Sequence, residues 1–262
     1  MPTRIQALFH ALKERKRAAL VAYVTAGDPS PERTPAIVAA LERGGVDMVE
    51  LGVPFSDPIA DGPVIQAASE RALKAGTTLP KVLEIARVIR ERSQIPLVLF
   101  TYLNPALRYG FEKLGRDAKA AGIDGCLLTD LSVEEAEPYV AAMRDTGLDT
   151  VFLAAPTSTP QRLKLVARYS TGFVYLVSRT GVTGERASLS EAAGPLLRSM
   201  RAATDLPLAV GFGISTPEQA AAVAKMADGV VVGSALVRLI EKQASDGNIE
   251  AFARALREGM DG

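Results

Sequence analysis

Residues 47–75 read DMVELGVPFSDPIADGPVIQAASERALKA and contain one complete structural unit. A short apolar run at 48–53 leads into a loop dense in Pro, Gly and Asp, and 63–75 then has a helix-forming composition that ends at Gly76. A strand with near-continuous apolar character, rather than strict alternation, is typical of parallel sheets covered by helices. The stretch therefore predicts a β-strand, a loop and an α-helix in that order.

The same unit recurs along the whole chain. Eight such units at a spacing of roughly 20–35 residues predict an α/β fold, a (β/α)8 TIM barrel, with 1–262 as a single domain. The alternative is an open doubly wound sheet, which is weakened because no Gly-x-Gly-x-x-Gly pattern follows the first run. The segment 5–16 precedes the first run, and we expect it to pack as an extra N-terminal helix against the N-terminal end of the barrel. The eight apolar runs are 19–25, 48–53, 97–102, 125–129, 150–154, 173–178, 208–213 and 229–233.

Capping residues mark the start of several predicted helices. Ser132, Thr159 and Thr216 each stand where a side-chain oxygen can accept a free backbone N–H of the first turn. Pro160 and Pro217 follow two of them at the first helical position, which proline favours.

Composition excludes several classes of protein. Thirty basic and thirty acidic residues cancel, so neither nucleic acid nor a membrane surface is predicted as a partner. No stretch approaches the ~18 apolar residues of a membrane span, and the polar start at 1–17 does not resemble a secretory signal. Cys126 is the only cysteine, so no internal disulfide can form. We expect a cytoplasmic location.

Glu50 is a lone carboxylate inside an apolar run. Burying a carboxylate is expensive unless something is gained, and desolvation raises its pKa towards that of a group that gives and takes protons near neutral pH. Asp57 and Asp61 follow on the next loop, and barrel active sites lie on the loops after the strands. The pattern predicts an acid/base pair. The alternatives are a buried ion pair or an outward-pointing side chain for Glu50, and turn positions for the two aspartates.

Glycines after the last strands predict a phosphate site. Gly213 and Gly233-Ser234 follow the seventh and eighth runs, where barrels commonly bind phosphate, and Gly184 follows the sixth. The segment after Ser234 is predicted to be helical, so its free N–H groups and positive dipole end face the same place. The alternative for any one of these glycines is a tight turn.

The remaining candidates have simpler explanations. Tyr175 is either a pocket residue or a core tyrosine with a satisfied hydroxyl. His10 and Cys126 are interpreted as structural, which argues against a Ser/His or Cys/His triad. No group of His and Cys has the spacing of metal ligands.

The stretch from Glu50 to Pro63 resembles the signature of tryptophan synthase alpha subunits, and the resemblance extends over essentially the whole chain. Five further motifs agree in order and spacing: 24–29, 155–158, 178–184, 211–215 and 233–235.

The resemblance implies a lyase that cleaves indole-3-glycerol phosphate to indole and glyceraldehyde 3-phosphate in tryptophan biosynthesis. Glu50 would be the principal acid/base, and Asp61 would accept the indole N–H. The family also implies that the loop 179–189 closes over the substrate. The phosphate would be bound by Gly184, Gly213, Gly233 and Ser234. The indole pocket would be lined by Tyr23, Phe100, Tyr102, Leu127, Thr129, Leu153, Tyr175, Thr183 and Phe212.

The same resemblance implies a partner. Family members pair with a beta subunit that carries pyridoxal phosphate, as an αββα heterotetramer with allosteric coupling, and Pro54 and Asp57 would face it. No metal and no cofactor are expected in this chain. Thr129 and Ser132 depart from the small or proline residues expected at their positions.

Two other functions stay open at this point. A different phosphosugar barrel enzyme would share the phosphate site without needing the loop 54–63. A regulatory partner of a beta subunit would need neither Glu50 nor Asp61.

Overall fold

Among the residues that the computed structural model describes, 2–177, 189–211 and 213–262, eight parallel strands close into one barrel in chain order. Side chains are described for all of these except 189–192. The strands confirm the TIM barrel. Most of them end one or two residues earlier than the apolar runs that predicted them. They are β1 Ala19–Thr25, β2 Met48–Gly52, β3 Leu97–Thr101, β4 Gly125–Leu128, β5 Asp149–Ala154, β6 Val174–Val177, β7 Leu208–Gly211 and β8 Gly229–Val232.

Helices follow each strand and cover the outside of the barrel. None of the described helices is long and apolar enough to cross a membrane. The helices are α1 Arg4–Glu14, α2 Thr34–Arg43, α3 Pro63–Lys74, α4 Leu79–Arg90, α5 Leu103–Tyr109, α6 Phe111–Ala120, α7 Glu137–Thr146, α8 Pro160–Tyr169, α9 Leu189–Arg201, α10 Pro217–Ala224, α11 Ser234–Glu241 and α12 Asp246–Asp261.

The predicted N-terminal helix closes the bottom of the barrel. Thr3 caps α1 and forms a reciprocal capping box with Gln6. Ile5, Phe9 and Leu12 are buried in the cluster that fills the barrel interior, together with residues of the strands. Since the N-terminal end is sealed in this way, the open end of the barrel is the one where the strands finish.

The helix caps divide into two that were predicted correctly and one that was not. Thr159 accepts the backbone N–H of Arg162, and Thr216 forms a capping box with Gln219. Ser132 makes no capping bond. A short 3-10 turn, Val133–Glu135, follows it instead, and the Ser132 hydroxyl donates to the Glu134 carboxylate at 2.5 Å.

Candidate active site

Glu50 lies in the middle of β2, and its side chain is fully buried. Neither of its carboxylate oxygens has a hydrogen-bond partner among the described residues. The buried ion pair considered as an alternative is therefore not found in the described part of the chain. Burial raises the pKa of Glu50 to about 8, because an ionised carboxylate loses its hydration there. At neutral pH the side chain is mostly protonated and can donate a proton.

Asp61 lies on the loop between β2 and α3 and is half-buried. Tyr102 donates its hydroxyl proton to Asp61 Oδ2 at 2.8 Å. Burial raises the pKa of Asp61 to about 6, and the Tyr102 hydrogen bond opposes that rise. Asp61 is therefore mostly ionised at neutral pH, while Glu50 is mostly neutral. The two acidic side chains therefore differ in charge at neutral pH.

The loop that carries Asp61 is held by backbone bonds. The Val53 N–H donates to Phe100 O at 2.8 Å, which continues the pairing with β3 past the end of β2. The Asp61 N–H donates to Pro58 O at 3.0 Å, and the Gln66 side-chain amide donates to Asp61 O at 2.8 Å. Pro63 then begins α3, where its fixed φ suits the first helical position.

An aromatic pocket surrounds Glu50 at the mouth of the barrel. Tyr23 is the register partner of Glu50 on β1, so the two side chains point to the same face. The rings of Tyr23 and Phe100 meet edge to face, with centroids 5.0 Å apart. Tyr23 also packs against Ile65 of α3 and Val237 of α11.

Two glycines support this pocket, and sequence reasoning did not single either of them out as a site residue. A Cβ at Gly52 would lie 2.2 Å from the Tyr23 hydroxyl oxygen, and one at Gly211 would lie 2.1 Å from the Tyr175 hydroxyl oxygen. Each tyrosine hydroxyl therefore rests on the backbone of another strand. Glycine inside a strand is the sequence signal for such a close approach.

The other described pocket candidates lie along neighbouring strands. Phe100 pairs in register with Leu127, and Leu153 pairs with Tyr175. Thr129 follows β4, is half-buried, and donates its N–H to Thr101 O at 2.9 Å. The structure thus brings most predicted pocket residues to one end of the barrel. Thr183 and Phe212 lie outside the described residues.

The predicted phosphate residues flank the same opening. Gly213 is exposed with φ +83°, and apart from its chain neighbours no described residue has an atom within 4 Å of where its Cβ would be. Gly233 precedes α11 and Ser234 is the first residue of that helix. The free N–H groups of the first turn of α11 provide donors for an anion. Gly184 lies outside the described residues, and so does all of the predicted closing loop 179–189 except its last residue.

The predicted partner-facing residues differ in exposure. Asp57 is exposed, and its carboxylate accepts the Ser56 hydroxyl at 2.5 Å. Pro54 is buried in the isolated chain. Two large apolar side chains nearby were not predicted: Ile59, on the same loop, is 86% exposed, and Leu107 on α5 is 54% exposed.

The remaining candidates lie away from this end. Cys126 is buried in the core, and His10 is exposed on α1. Within the described ranges, no group of three or more His, Cys, Asp or Glu side chains could hold a metal ion.

Comparison with known proteins gives a consistent result. The family model described as tryptophan synthase alpha chain matches residues 9–260. The tryptophan synthase alpha chain of Solibacter usitatus is 69% identical over 262 residues, covering 98% of each chain. That of Geobacter sulfurreducens is 51% identical over 261 residues, covering 98% of this chain and 99% of the relative.

Solved structures agree with these relatives. A structure of Mycobacterium tuberculosis tryptophan synthase superposes with a TM-score of 0.92 at 39% identity, covering 99% of each chain. The tryptophan synthase subunit alpha of Legionella pneumophila superposes with a TM-score of 0.89 at 36% identity, covering 100% of this chain and 99% of that one. By its sequence and by its barrel, the chain belongs to the tryptophan synthase alpha chain family.

Proposed function

We propose that Glu50 and Asp61 carry out the cleavage of indole-3-glycerol phosphate, the lyase reaction of this family in tryptophan biosynthesis. The observation that carries the proposal is the state of Glu50. Its carboxyl group is fully buried without a hydrogen-bond partner among the described residues, and burial raises its pKa to about 8. A neutral carboxyl group in a barrel interior is a proton donor at neutral pH.

Glu50 acts twice in the proposed reaction. Its proton goes to the indole ring carbon that bears the glycerol phosphate chain, which leaves a positive charge on the ring and a carboxylate on Glu50. The carboxylate then takes the proton of the hydroxyl on the adjacent side-chain carbon. The O–H electrons form the aldehyde C=O as the carbon–carbon bond breaks, and the electrons of that bond return to the ring. Glu50 is thereby regenerated.

Asp61 supports the charged intermediate. Protonation of the ring carbon spreads positive charge to the indole nitrogen, and an ionised carboxylate that accepts the N–H stabilises that charge. The pKa of Asp61, about 6, keeps it mostly ionised while Glu50 is still protonated. The aromatic pocket at Tyr23 and Phe100 is suited to an indole ring, and the N-terminus of α11 is suited to the phosphate.

A partner subunit is part of the proposal. The exposed Asp57, Ile59 and Leu107 lie on segments that follow β2 and β3 at the open end of the barrel. Exposed apolar side chains beside an active site favour a protein interface there. We assign this face to a beta subunit that carries pyridoxal phosphate, in an αββα heterotetramer, with a cytoplasmic location.

The test is cleavage of indole-3-glycerol phosphate by Glu50→Gln, which keeps the shape of the side chain but cannot donate an acidic proton. We expect indole release to fall by at least about 100-fold, the usual contribution of acid–base catalysis, with the melting temperature retained. Asp61→Asn should also slow release strongly. Glu112→Gln, at an exposed position on α6, is the control and should behave as the parent.

Near-normal indole release by Glu50→Gln would contradict the assignment. Measurements with an added beta subunit distinguish an enzyme from a purely regulatory chain. The Glu50→Gln chain should lose cleavage of indole-3-glycerol phosphate while it still stimulates the activity of the beta subunit. Ring-free sugar phosphates offered to the parent should not be turned over, which separates this enzyme from other phosphosugar barrels.

A further inference from the structure

We propose that Tyr102 is a positioning residue for Asp61. The Tyr102 hydroxyl fixes both the orientation and the charge of the Asp61 carboxylate. The inference rests on the proposed function in one respect, because it takes Asp61 as the group that receives the indole N–H. Tyr102 was predicted only as a wall of the indole pocket. The contacts of its hydroxyl group indicate a second and more specific role, which is to hold Asp61 in place.

The direction of the Tyr102 hydroxyl proton is fixed by its neighbours. The Ala60 backbone N–H donates to Tyr102 Oη at 3.1 Å, so the oxygen already serves as an acceptor on that side. A phenolic hydroxyl has a single proton to donate, and Tyr102 donates it to Asp61 Oδ2 at 2.8 Å. Since Ala60 and Asp61 are adjacent, one hydroxyl holds both the backbone and the side chain of the catalytic loop.

Tyr102 itself is held in place from two sides. Its side chain is only 3% exposed, and its ring packs on Phe55 with centroids 5.1 Å apart. The next residue, Leu103, donates its N–H to Asp130 Oδ1 at 2.6 Å, which anchors the start of α5. The hydroxyl is therefore presented from a rigid support, which a positioning residue requires.

The electrostatic surroundings make this bond important for the charge of Asp61. Among the described residues, the titratable groups that interact electrostatically with Asp61 are Tyr23 on β1, Tyr175 on β6 and Tyr102 itself. The tyrosines are neutral at pH 7, because burial raises the pKa of each above its usual value. Glu50 is also mostly neutral there. The Tyr102 hydrogen bond opposes burial by favouring the ionised carboxylate.

The geometry also divides the two oxygens of Asp61 between two partners. Tyr102 uses one lone pair of Oδ2, so a substrate N–H that bonds to Oδ1 does not compete with Tyr102 for the same oxygen. A carboxylate that was free to rotate would present its oxygens in many directions. Loss of the hydroxyl should therefore affect both the ionisation of Asp61 and the rate of the chemical step.

The experiment is Tyr102→Phe in the full chain, with the Asp61 carboxyl carbon titrated by ¹³C NMR and kcat/KM measured across pH. Removal of a hydrogen bond to a charged group should move the Asp61 titration up by roughly one pH unit. The acid limb of kcat/KM should move with it, and kcat should fall more than KM rises. The phenyl ring keeps its packing on Phe55, so the melting temperature should stay close to that of the parent.

Tyr109→Phe is the matched control. Tyr109 is the last residue of α5, the helix that begins directly after Tyr102, and it donates its hydroxyl to Asp117 at 2.6 Å. The control removes the same kind of bond and should change neither the Asp61 titration nor the acid limb.

The outcomes separate this inference from the proposed function. An Asp61 titration that does not move in Tyr102→Phe overturns the positioning role, whatever the rate does. A titration that moves while the acid limb stays in place supports the hold of Tyr102 on Asp61 and contradicts the catalytic part given to Asp61.

Discussion

Glu50 and Asp61 are both acidic side chains, and their surroundings give them different proton affinities. Glu50 lies inside the barrel with no hydrogen-bond partner among the described residues, and its pKa is raised to about 8. Asp61 lies at the mouth, holds a hydrogen bond from Tyr102, and has a pKa of about 6. A pair of groups whose environments separate their pKa values is a common basis for assigning acid and base roles.

The contact between Gly52 and Tyr23 gives a prediction at the same scale. Gly52→Ala would place a Cβ 2.2 Å from the Tyr23 hydroxyl oxygen, so the Tyr23 ring must move within the proposed substrate pocket. We expect unfolding to become easier by about 1–3 kcal/mol, as in other overpacked cores, and KM to rise. Urea denaturation and steady-state kinetics measure the two effects.

A second substitution tests the cause of that effect. Tyr23→Leu should relieve the clash, so the double variant should be more stable than the sum of the two single effects. Gly62→Ala is the control, because apart from its chain neighbours no described residue has an atom within 4 Å of the Cβ position of Gly62. A Gly52→Ala chain as stable and active as the Gly62→Ala chain would contradict the account.

At the scale of elements, aspartates at the N-terminal ends of strands tie neighbouring strands together. Asp47, before β2, accepts the N–H of Leu20 in β1 at 2.8 Å. Asp124, before β4, accepts the N–H of Leu97 in β3 at 2.9 Å. Asp228, before β8, accepts the N–H of Leu208 in β7 at 2.7 Å. Each aspartate thus links neighbouring strands at the end of the barrel opposite the proposed active site.

Asp124→Ala tests how much one of these links contributes. The carboxylate also pairs with Arg90 at 3.1 Å and with Arg4 at 2.9 Å, and Arg90 is itself largely buried. Removal of a buried charged partner should lower the free energy of unfolding by roughly 3 kcal/mol. Urea denaturation measures this loss, and the pH profile of cleavage should keep its shape.

Glu84→Ala provides the comparison for that variant. It breaks the exposed pair with Lys81 on α4, and exposed pairs contribute little to stability. If Asp124→Ala and Glu84→Ala lowered the free energy of unfolding by the same amount, the Asp124 link would stabilise the barrel no more than an exposed ion pair does.

The elements also show which features a sequence can predict. Thr159 and Thr216 were identified as caps because threonine followed by proline at a helix start has a local physical cause. The cap predicted at Ser132, a serine without a following proline, is wrong, because the chain turns through a 3-10 segment there before α7 begins. Two helices, α5 and α12, were not predicted. The boundary between α5 and α6 depends on Gly110 with φ +85°, a value that composition does not reveal.

At the scale of the whole molecule, the two ends of the barrel have separate parts. The N-terminal end is sealed by α1 and by the aspartate links, whereas the C-terminal end carries Glu50, Asp61 and the start of α11. Because stability and activity depend on opposite ends of a TIM barrel, the loops at the C-terminal end can change in sequence while the barrel core stays intact. The end of the barrel at which Glu50 and Asp61 lie was therefore predictable once eight strands had been counted.

What the sequence could not supply is the set of contacts between distant residues. Tyr102 and Asp61 are 41 positions apart, and their hydrogen bond depends on the packing of two loops. The supports at Gly52 and Gly211 likewise depend on which strands lie side by side. Residue types and strand order are local information, and these contacts are not.

The pH dependence of kcat/KM for indole-3-glycerol phosphate cleavage tests most directly the division of work between Glu50 and Asp61. Below a pH of about 6, Asp61 becomes protonated and no longer stabilises the positive charge on the ring. Above about 8, Glu50 is ionised and has no proton to give to the ring carbon. The account predicts a bell-shaped profile with limbs near these two values. A rate that keeps rising with pH beyond 8 would contradict proton donation by Glu50.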